Sequence, residues 1–289
     1  ILIVGASGFL GRNLSEFYLR QGHRVYTYSR AIGLSLQNSN QLLPADVIDF
    51  IASENPELIF YLSNTLNPKS DYSDYVSHLQ NVYFQLQSII NVCNYKNLEK
   101  FVYFSSGGAL YNPKILSNEE SPLEPLNLYG FSKLECENYL RFKSSEVPVL
   151  IVRPTNPYGR YQSLTGKQGL IAVLIGASVS GDAVTIFSPL ESAKNYIFID
   201  DLLEIIDFLS KNHVGVFNIG TPKNTTILEL ITIVERIGRT RIKYTCEAPH
   251  NNIIHSHNIN FNKLNKVIDG YSFTDISAGV GYFYDSLAT

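Results

Sequence analysis

The 289-residue chain contains no methionine and no tryptophan. Ordinary composition supplies several methionines, so weight falls on short motifs read locally rather than on long spacings. The three cysteines, Cys93, Cys136 and Cys246, are scattered and odd in number; they point to reduced thiols and a cytoplasmic protein. Charge is sparse: 23 Lys and Arg stand against 26 Asp and Glu, a formal net charge of −3. That balance leaves no basic footprint, and nucleic acid is not an expected partner. No apolar run is long enough to span a bilayer, the best (169–181) being interrupted by Ser178 and Ser180, so a membrane is not expected either. No charged-then-apolar leader precedes the first strand, which adds to the expectation of a cytoplasmic protein. Internal repeats and low-complexity segments are also missing.

What is present is a globular composition, 45% hydrophobic, with length for one large or two modest domains. The most informative stretch is the first, Ile1 to Gly11. Four apolar residues read as a buried parallel strand. Gly5, Gly8 and Gly11 follow at the spacing of a dinucleotide-binding turn. Gly5 permits the tight turn, Gly8 lets the backbone approach a pyrophosphate, and Gly11 lets the next helix pack closely. Ser7, Phe9 and Leu10 complete the turn, and the helix over about 11–21 aims its N-terminal N–H groups at the phosphates. A second strand, 24–30, supplies the context that a Gly-rich turn alone lacks.

The same βαβ rhythm continues. Strands are expected at 58–62, 101–106 and 149–153, with helices over about 45–54, 75–95 and 128–142. The strand at 101–106 is expected to end in a flexible Gly107-Gly108. This predicts an α/β fold with a Rossmann-type doubly wound parallel sheet, ligands sitting at the carboxyl ends of the strands. Leu62, Ser63 and Asn64 form one such strand-end loop, facing the cofactor. Past residue 155 the rhythm loosens. Residues 1–155 read as the dinucleotide-binding domain and 156–289 as a smaller α/β substrate-binding lobe, with about 195–220 returning to the first.

The second informative stretch is Tyr129-Gly-Phe-Ser-Lys133. Tyr and Lys four apart share a helix face, and an ammonium beside a phenol lowers the phenol's pKa. Such a phenol can exchange a proton with an alcohol or ketone while hydride moves at a nicotinamide. The spacing alone also fits an ordinary surface pair; the dinucleotide turn upstream and Ser105-Ser106 at a strand end favour the chemical reading.

With these pieces assembled, the chain resembles the extended short-chain dehydrogenases/reductases, in their NAD-dependent epimerase/dehydratase branch. The resemblance rests on Gly5-x-x-Gly8-x-x-Gly11, Asn81, Ser105-Ser106-Gly-Gly-Ala-Leu-Tyr111, Tyr129-x-x-x-Lys133, Arg153-Pro-Thr-Asn156-Pro-Tyr-Gly159 and Asn195-Tyr-Ile-Phe-Ile-Asp200-Asp201. It implies that Tyr129 is the acid/base, that Lys133 tunes it and holds the nicotinamide ribose, and that Ser106 is the nearest catalytic hydroxyl. It places Asn81, Ser105 and Thr155 against the cofactor. It places Tyr111, Asn156, Gln168, Gly169, Leu170, Phe187 and Lys194 against a nucleotide sugar. It also implies a homodimer through the helices around 75–95 and 128–142.

The departures from that family pattern matter too. Gly107 and Ala109 stand where 4-epimerases of the family carry hydroxyls, and Lys194-Asn195 replaces an Arg-Asp pair, leaving a point charge for a bidentate fork. A second expected arginine is missing, with only His250 nearby. At the end of the second strand, Ser29 and Arg30 stand where an NAD site places a carboxylate for the ribose 2′-OH, which suits a 2′-phosphate and NADP; the family resemblance favours NAD. His255-Ser-His257 lacks a third ligand, so no metal is expected. Asp200 and Asp201 read as caps of the following helix. The leading expectation is a nucleotide-sugar 4-epimerase, with a UDP-hexose as substrate and a transient 4-keto sugar. The alternatives are an NADPH-dependent 4-keto-sugar reductase and a non-catalytic NAD(P)-binding protein.

Overall fold

In a fully buried parallel sheet each strand must be apolar on both faces, and the short runs of this chain meet that demand. In the computed structural model, which describes residues 1–29, 40–42, 47–93, 96–166, 168–247 and 258–288, strand β1 (Leu2–Val4) leads through a turn into helix α1 (Phe9–Arg20) and β2 (Tyr26–Tyr28). Then come β3 (Asn40–Leu42), α2 (Val47–Glu54) and β4 (Leu58–Tyr61). Helix α3 (Tyr72–His78) passes through a π-helical turn, Leu79–Tyr83, into α4 (Phe84–Val92). Strand β5 (Lys100–Phe104), the short α5 (Gly107–Leu110), α6 (Leu128–Lys143) and β6 (Val149–Pro154) follow.

The second half carries β7 (Asn156–Tyr158), α7 (Leu170–Ser180), β8 (Val184–Ile186), β9 (Ala193–Phe198), α8 (Ile199–Asn212) and β10 (Gly215–Ile219). It continues with β11 (Asn224–Thr226), α9 (Ile227–Gly238), β12 (Tyr244–Cys246), α10 (Asn262–Val267) and α11 (Ile276–Asp285).

Seven strands form one parallel sheet in the order β10-β6-β5-β4-β1-β2-β3. Alternate residues of β1, β4, β5 and β6 enter opposite cores, as the two-residue period requires. Ile3, Phe60, Val102 and Leu150 meet Leu14 and Tyr18 of α1 and Leu202 and Ile206 of α8 on one face. Leu2, Ile59, Phe101 and Val149 meet Ile51 of α2, Leu86 of α4 and Leu140 of α6 on the other. The strand order reverses between β1 and β4, and ligands of such sheets bind in the crevice at that point. Outside the main sheet, β9 sits between β7 and an antiparallel β11, and β12 pairs with β8.

The βαβ frame follows the sequence expectation, with helix ends moved by up to three residues. Helix α1 begins at Phe9, within the glycine turn. The long helix expected over 75–95 is interrupted by its π turn. Gly107-Gly108, expected to be flexible, instead opens the helical turn α5; Gly107 is buried, and a Cβ there would stand 2.9 Å from the Arg153 carbonyl oxygen. Strands β7, β9 and β11 are additions to the expected set; β7 and β11 carry little apolar signature, while β9 brings Tyr196, Ile197 and Phe198 into the core.

Candidate active site

Lateral backbone hydrogen bonds bring six strand ends, those of β2, β1, β4, β5, β6 and β10, to one rim. Gly5 N–H donates to the Tyr28 carbonyl (2.8 Å), Leu62 N–H to Val4 (2.8 Å), Ser105 N–H to Val152 (2.8 Å) and Thr155 N–H to Ile219 (2.8 Å). The predicted loops after β1, β2, β4, β5 and β6 are therefore neighbours in the order the sheet dictates.

The three glycines of the turn do different work. Gly5 has φ +95°, and a Cβ on it would meet the Ser63 nitrogen at 2.8 Å. It is both a left-handed turn residue and the point where the β1 and β4 loops touch. At Gly11 a Cβ would lie 2.4 Å from the Gly5 carbonyl oxygen and 2.6 Å from Ala6 Cα, so the first turn of α1 lies directly on the loop. Gly8 is exposed, and a Cβ there has only one ordinary contact, 3.6 Å to the Gly5 oxygen. Among the described residues nothing requires glycine at position 8, and the backbone there is open to an approaching ligand.

The rim fits a dinucleotide. Helix α1 starts at Gly8 with no side-chain cap, leaving its first N–H groups and positive dipole end for an anion. On the neighbouring strand ends, Ser105 Oγ and Asn64 Oδ1 are buried without a hydrogen-bond partner. Buried polar atoms are normally paired, and these two are placed to pair with a bound polar ligand. Ser63 and Ser29 are buried on the same rim. Asn81 lies on the π turn, exposed, and gives its amide to the Ser77 carbonyl at 2.7 Å. Arg30, His250, His255 and His257 lie outside the described residues. Among the described residues no group of His, Cys, Asp or Glu could hold a metal ion.

Helix α6 is started by Asn127, whose side chain accepts from Gly130 N–H at 2.9 Å. That cap fixes Tyr129 at the second helical position and Lys133 one turn on. Lys133 is 5% exposed; its ammonium donates to the Phe104 carbonyl at 2.8 Å and lies 5.2 Å and 5.8 Å from the ring centres of Tyr103 and Tyr129. Burial lowers its pKa to about 8, against the raising fields of Cys136 and Glu137. The Tyr129 hydroxyl is hydrogen-bonded to Ser106, and its pKa is raised because burial outweighs that bond. This corrects the expectation of a phenol lowered by its lysine: the ammonium has turned to the end of β5, and desolvation decides the direction.

The other expected residues divide. Thr155 is buried and its hydroxyl donates to Asn195 Oδ1 at 2.9 Å; Asn156 donates to the Asn195 carbonyl at 2.6 Å. Asn195 in turn donates to the Thr221 carbonyl (2.8 Å), so it joins β9 to the loop beyond β10. The Lys194 ammonium beside it makes no ion pair or hydrogen bond among the described residues, and burial lowers its pKa. Gln168, Gly169 and Leu170 stand at the start of α7, with Gly169 at φ +86°. Phe187 is partly buried, with the Lys69 ammonium 5.3 Å from its ring centre. Tyr111, expected at the substrate, is 4% exposed, and its hydroxyl is engaged by Arg153 and Asn218. It is a core residue because strand β6 brings a buried guanidinium to it. Asp200 and Asp201 are not caps: they lie inside the first turn of α8. Asp200 pairs with Arg160 (2.6 Å), and Asp201 accepts from Thr274 N–H (3.0 Å). The sequence reading assigned no role to Glu137, whose one signal was its spacing one helical turn after Lys133.

A family model described as "NAD dependent epimerase/dehydratase family" matches residues 1–220. The chain is 30% identical over 261 residues to dTDP-4-dehydro-6-deoxyglucose reductase of Escherichia coli, covering 81% of this chain and 80% of that one. It is 27% identical over 252 residues to UDP-glucose 4-epimerase of Mycolicibacterium smegmatis, covering 81% and 80%. Among solved structures, UDP-glucose 4-epimerase of Thermotoga maritima, with UDP-glucose, aligns with a TM-score of 0.86 at 21% identity over 99% of this chain and 98% of that one. UDP-glucuronic acid 4-epimerase of Bacillus cereus, in complex with UDP-glucuronic acid and NAD, aligns with a TM-score of 0.86 at 20% identity over 99% and 98%.

Proposed function

The chain belongs to the NAD dependent epimerase/dehydratase family, and from that premise we propose that it is a nucleotide-sugar 4-epimerase acting on a UDP-hexose through a transient 4-keto sugar. The observation that carries the reading is the grouping of Ser106, Tyr129 and Lys133 at the end of β5, next to the uncapped start of α1. The nicotinamide cofactor, when bound, supplies reversible hydride acceptance at the sugar C4. The glycine turn, Ser63, Asn64, Ser105 and Lys133 hold it. Tyr129 takes the 4-hydroxyl proton and later returns it, and Ser106 passes the proton between phenol and sugar. Lys133 is charged below about pH 8 and stands one helical turn from Tyr129, its ammonium held at the Phe104 carbonyl, where it can turn to the cofactor. Lys194 meets the diphosphate as a point charge, which supplies the partner it lacks.

The second reading, a reductase of a 4-keto nucleotide sugar, is favoured by the identity to the E. coli reductase. The absence of a carboxylate at Ser29 fits it as well. The test is incubation of the purified protein with UDP-glucose, UDP-galactose and a 4-keto nucleotide sugar while nicotinamide absorbance is followed. Interconversion of the two UDP-hexoses with no net absorbance change supports the epimerase. Stoichiometric NADPH consumption with the keto sugar replaces it by the reductase, and neither outcome leaves only a cofactor-binding role.

We also assign a homodimer. Tyr72 and Val76 on α3, Phe84 on α4, and Phe131 and Phe142 on α6 are exposed. These helices pack side by side, with Tyr75 and Phe131 rings 6.0 Å apart and Tyr83 and Tyr139 rings 6.2 Å apart. An apolar surface of that kind suits a second copy. Free Cys93, Cys136 and Cys246 fit a cytoplasmic location. Among the described residues no helix is long and apolar enough to cross a membrane.

A further inference from the structure

Among the described residues the largest fully buried side chain is a cation. Arg153, on β6 two residues before Thr155, is 0% exposed. Its Nε donates to Glu137 Oε1 at 2.8 Å and its Nη2 to Glu137 Oε2 at 2.5 Å. Glu137 is also 0% exposed and lies on α6 one turn beyond Lys133. The third arm of the guanidinium donates to the hydroxyl of Tyr111, the residue that closes α5. That hydroxyl donates on to Asn218 Oδ1 on β10 at 2.8 Å, and Asn218 N–H donates to Glu119 Oε1 at 2.8 Å. One planar fork therefore ties together α6, which carries Tyr129 and Lys133; α5, which starts directly after Ser106; and β6, which leads into Thr155 and Asn156.

Burying an ion pair is a poor way to add stability, since packed apolar side chains of the same volume do as well or better. A bidentate guanidinium–carboxylate contact does something they cannot: it fixes direction as well as distance. We propose that the Arg153–Glu137 pair, extended by Tyr111, is the positioning device of the active site, setting Tyr129 against Ser106 and Lys133 against the end of β5. These three are positioning residues; they touch neither substrate nor cofactor in this assignment, which rests on the proposed function. Glu137 has a second effect. The groups facing the Lys133 ammonium are Tyr103 from β5 and Tyr129, Cys136 and Glu137 from its own helix, and the carboxylate supports the lysine's charge.

The test uses Tyr111→Phe, Arg153→Lys and Glu137→Gln in the cofactor-loaded protein, each assayed for folded fraction by circular dichroism. The expected result is a kcat lowered roughly 10- to 100-fold per folded molecule, the scale of a small misplacement of reacting groups, with KM and cofactor affinity changed less than about threefold. Glu137→Gln should in addition move the alkaline limb of the kcat/KM profile to lower pH, because the lysine loses an anion and faces an uncompensated guanidinium. A purely structural pair would move neither kcat per folded molecule nor the pH limb, and that result overturns the proposal. Should Glu137→Gln fail to fold, Tyr111→Phe, which removes one hydroxyl, decides the matter by kcat alone. Full activity in Tyr129→Phe would instead overturn the reading of the site on which the proposal rests.

Discussion

Gly8 and Tyr129 allow the cofactor and the chemistry to be tested one atom group at a time. A methyl at Gly8 meets only an ordinary 3.6 Å contact, so Gly8→Ala should leave the melting temperature of the cofactor-free protein nearly unchanged, within about 0.5 kcal/mol of stability. With the pyrophosphate on this turn, as proposed, the same methyl stands in its way, so nicotinamide-dinucleotide affinity should fall at least tenfold in a calorimetric titration. Unchanged affinity would remove the phosphate from this turn. Tyr129→Phe should lower turnover by about 10²- to 10⁴-fold, the usual worth of a general acid/base, while cofactor titration gives the wild-type constant. The pH dependence follows from Lys133, whose pKa is lowered to about 8. The lysine is charged below that value, so kcat/KM should fall as pH rises through about 8. Over the window from about 8 to 10.5 the unfolded chain binds more protons at this group than the folded one, so its contribution to stability rises with pH. Thermal melts along the same pH series should therefore show that the loss of activity is not unfolding at this site.

At the scale of elements, the decisive contact is between α5 and α6. A Cβ on Gly130 would lie 2.3 Å from the Ala109 carbonyl oxygen, so the helix bearing Tyr129 starts directly against the turn that follows Ser106. Gly130→Ala should force the two apart and lower kcat by an order of magnitude or more, with a smaller change in cofactor affinity because the glycine turn is untouched. Parallel losses of both would show that the substitution disturbs the whole rim. The same close packing accounts for the missing family hydroxyl at position 107. A side chain there would run into the β6 backbone, 2.9 Å from the Arg153 oxygen, so this rim has room for Ser106 and not for its neighbour.

For the whole molecule, the prediction is assembly. The exposed aromatic and aliphatic surface on α3, α4 and α6 should bury itself in a two-fold pair. Sedimentation equilibrium should give twice the chain mass of 32.5 kDa, and the double variant Phe84→Glu, Phe131→Glu should shift it to the monomer. A monomeric wild type at assay concentrations would refute the dimer.

Much of the fold was legible because its causes are local. The apolar strands, the glycine spacing and the Tyr129–Lys133 interval each follow from a period or a turn requirement acting over a few residues. The βαβ rhythm then permits few sheet orders. What the linear chain left open depends on partners far away in sequence. Strands β7 and β11 are short and carry little apolar sequence, and they exist through their pairing with β9. Tyr111 reads as a substrate contact until β6 and β10 bring Arg153 and Asn218 to its hydroxyl. Helical spacing reports that a lysine is near Tyr129, whereas desolvation by the surrounding protein decides which way the phenol's pKa moves. Local steric and periodic rules thus determined the elements and the candidate residues; only the tertiary structure decided burial, and burial sets both the charges and the partners of the site.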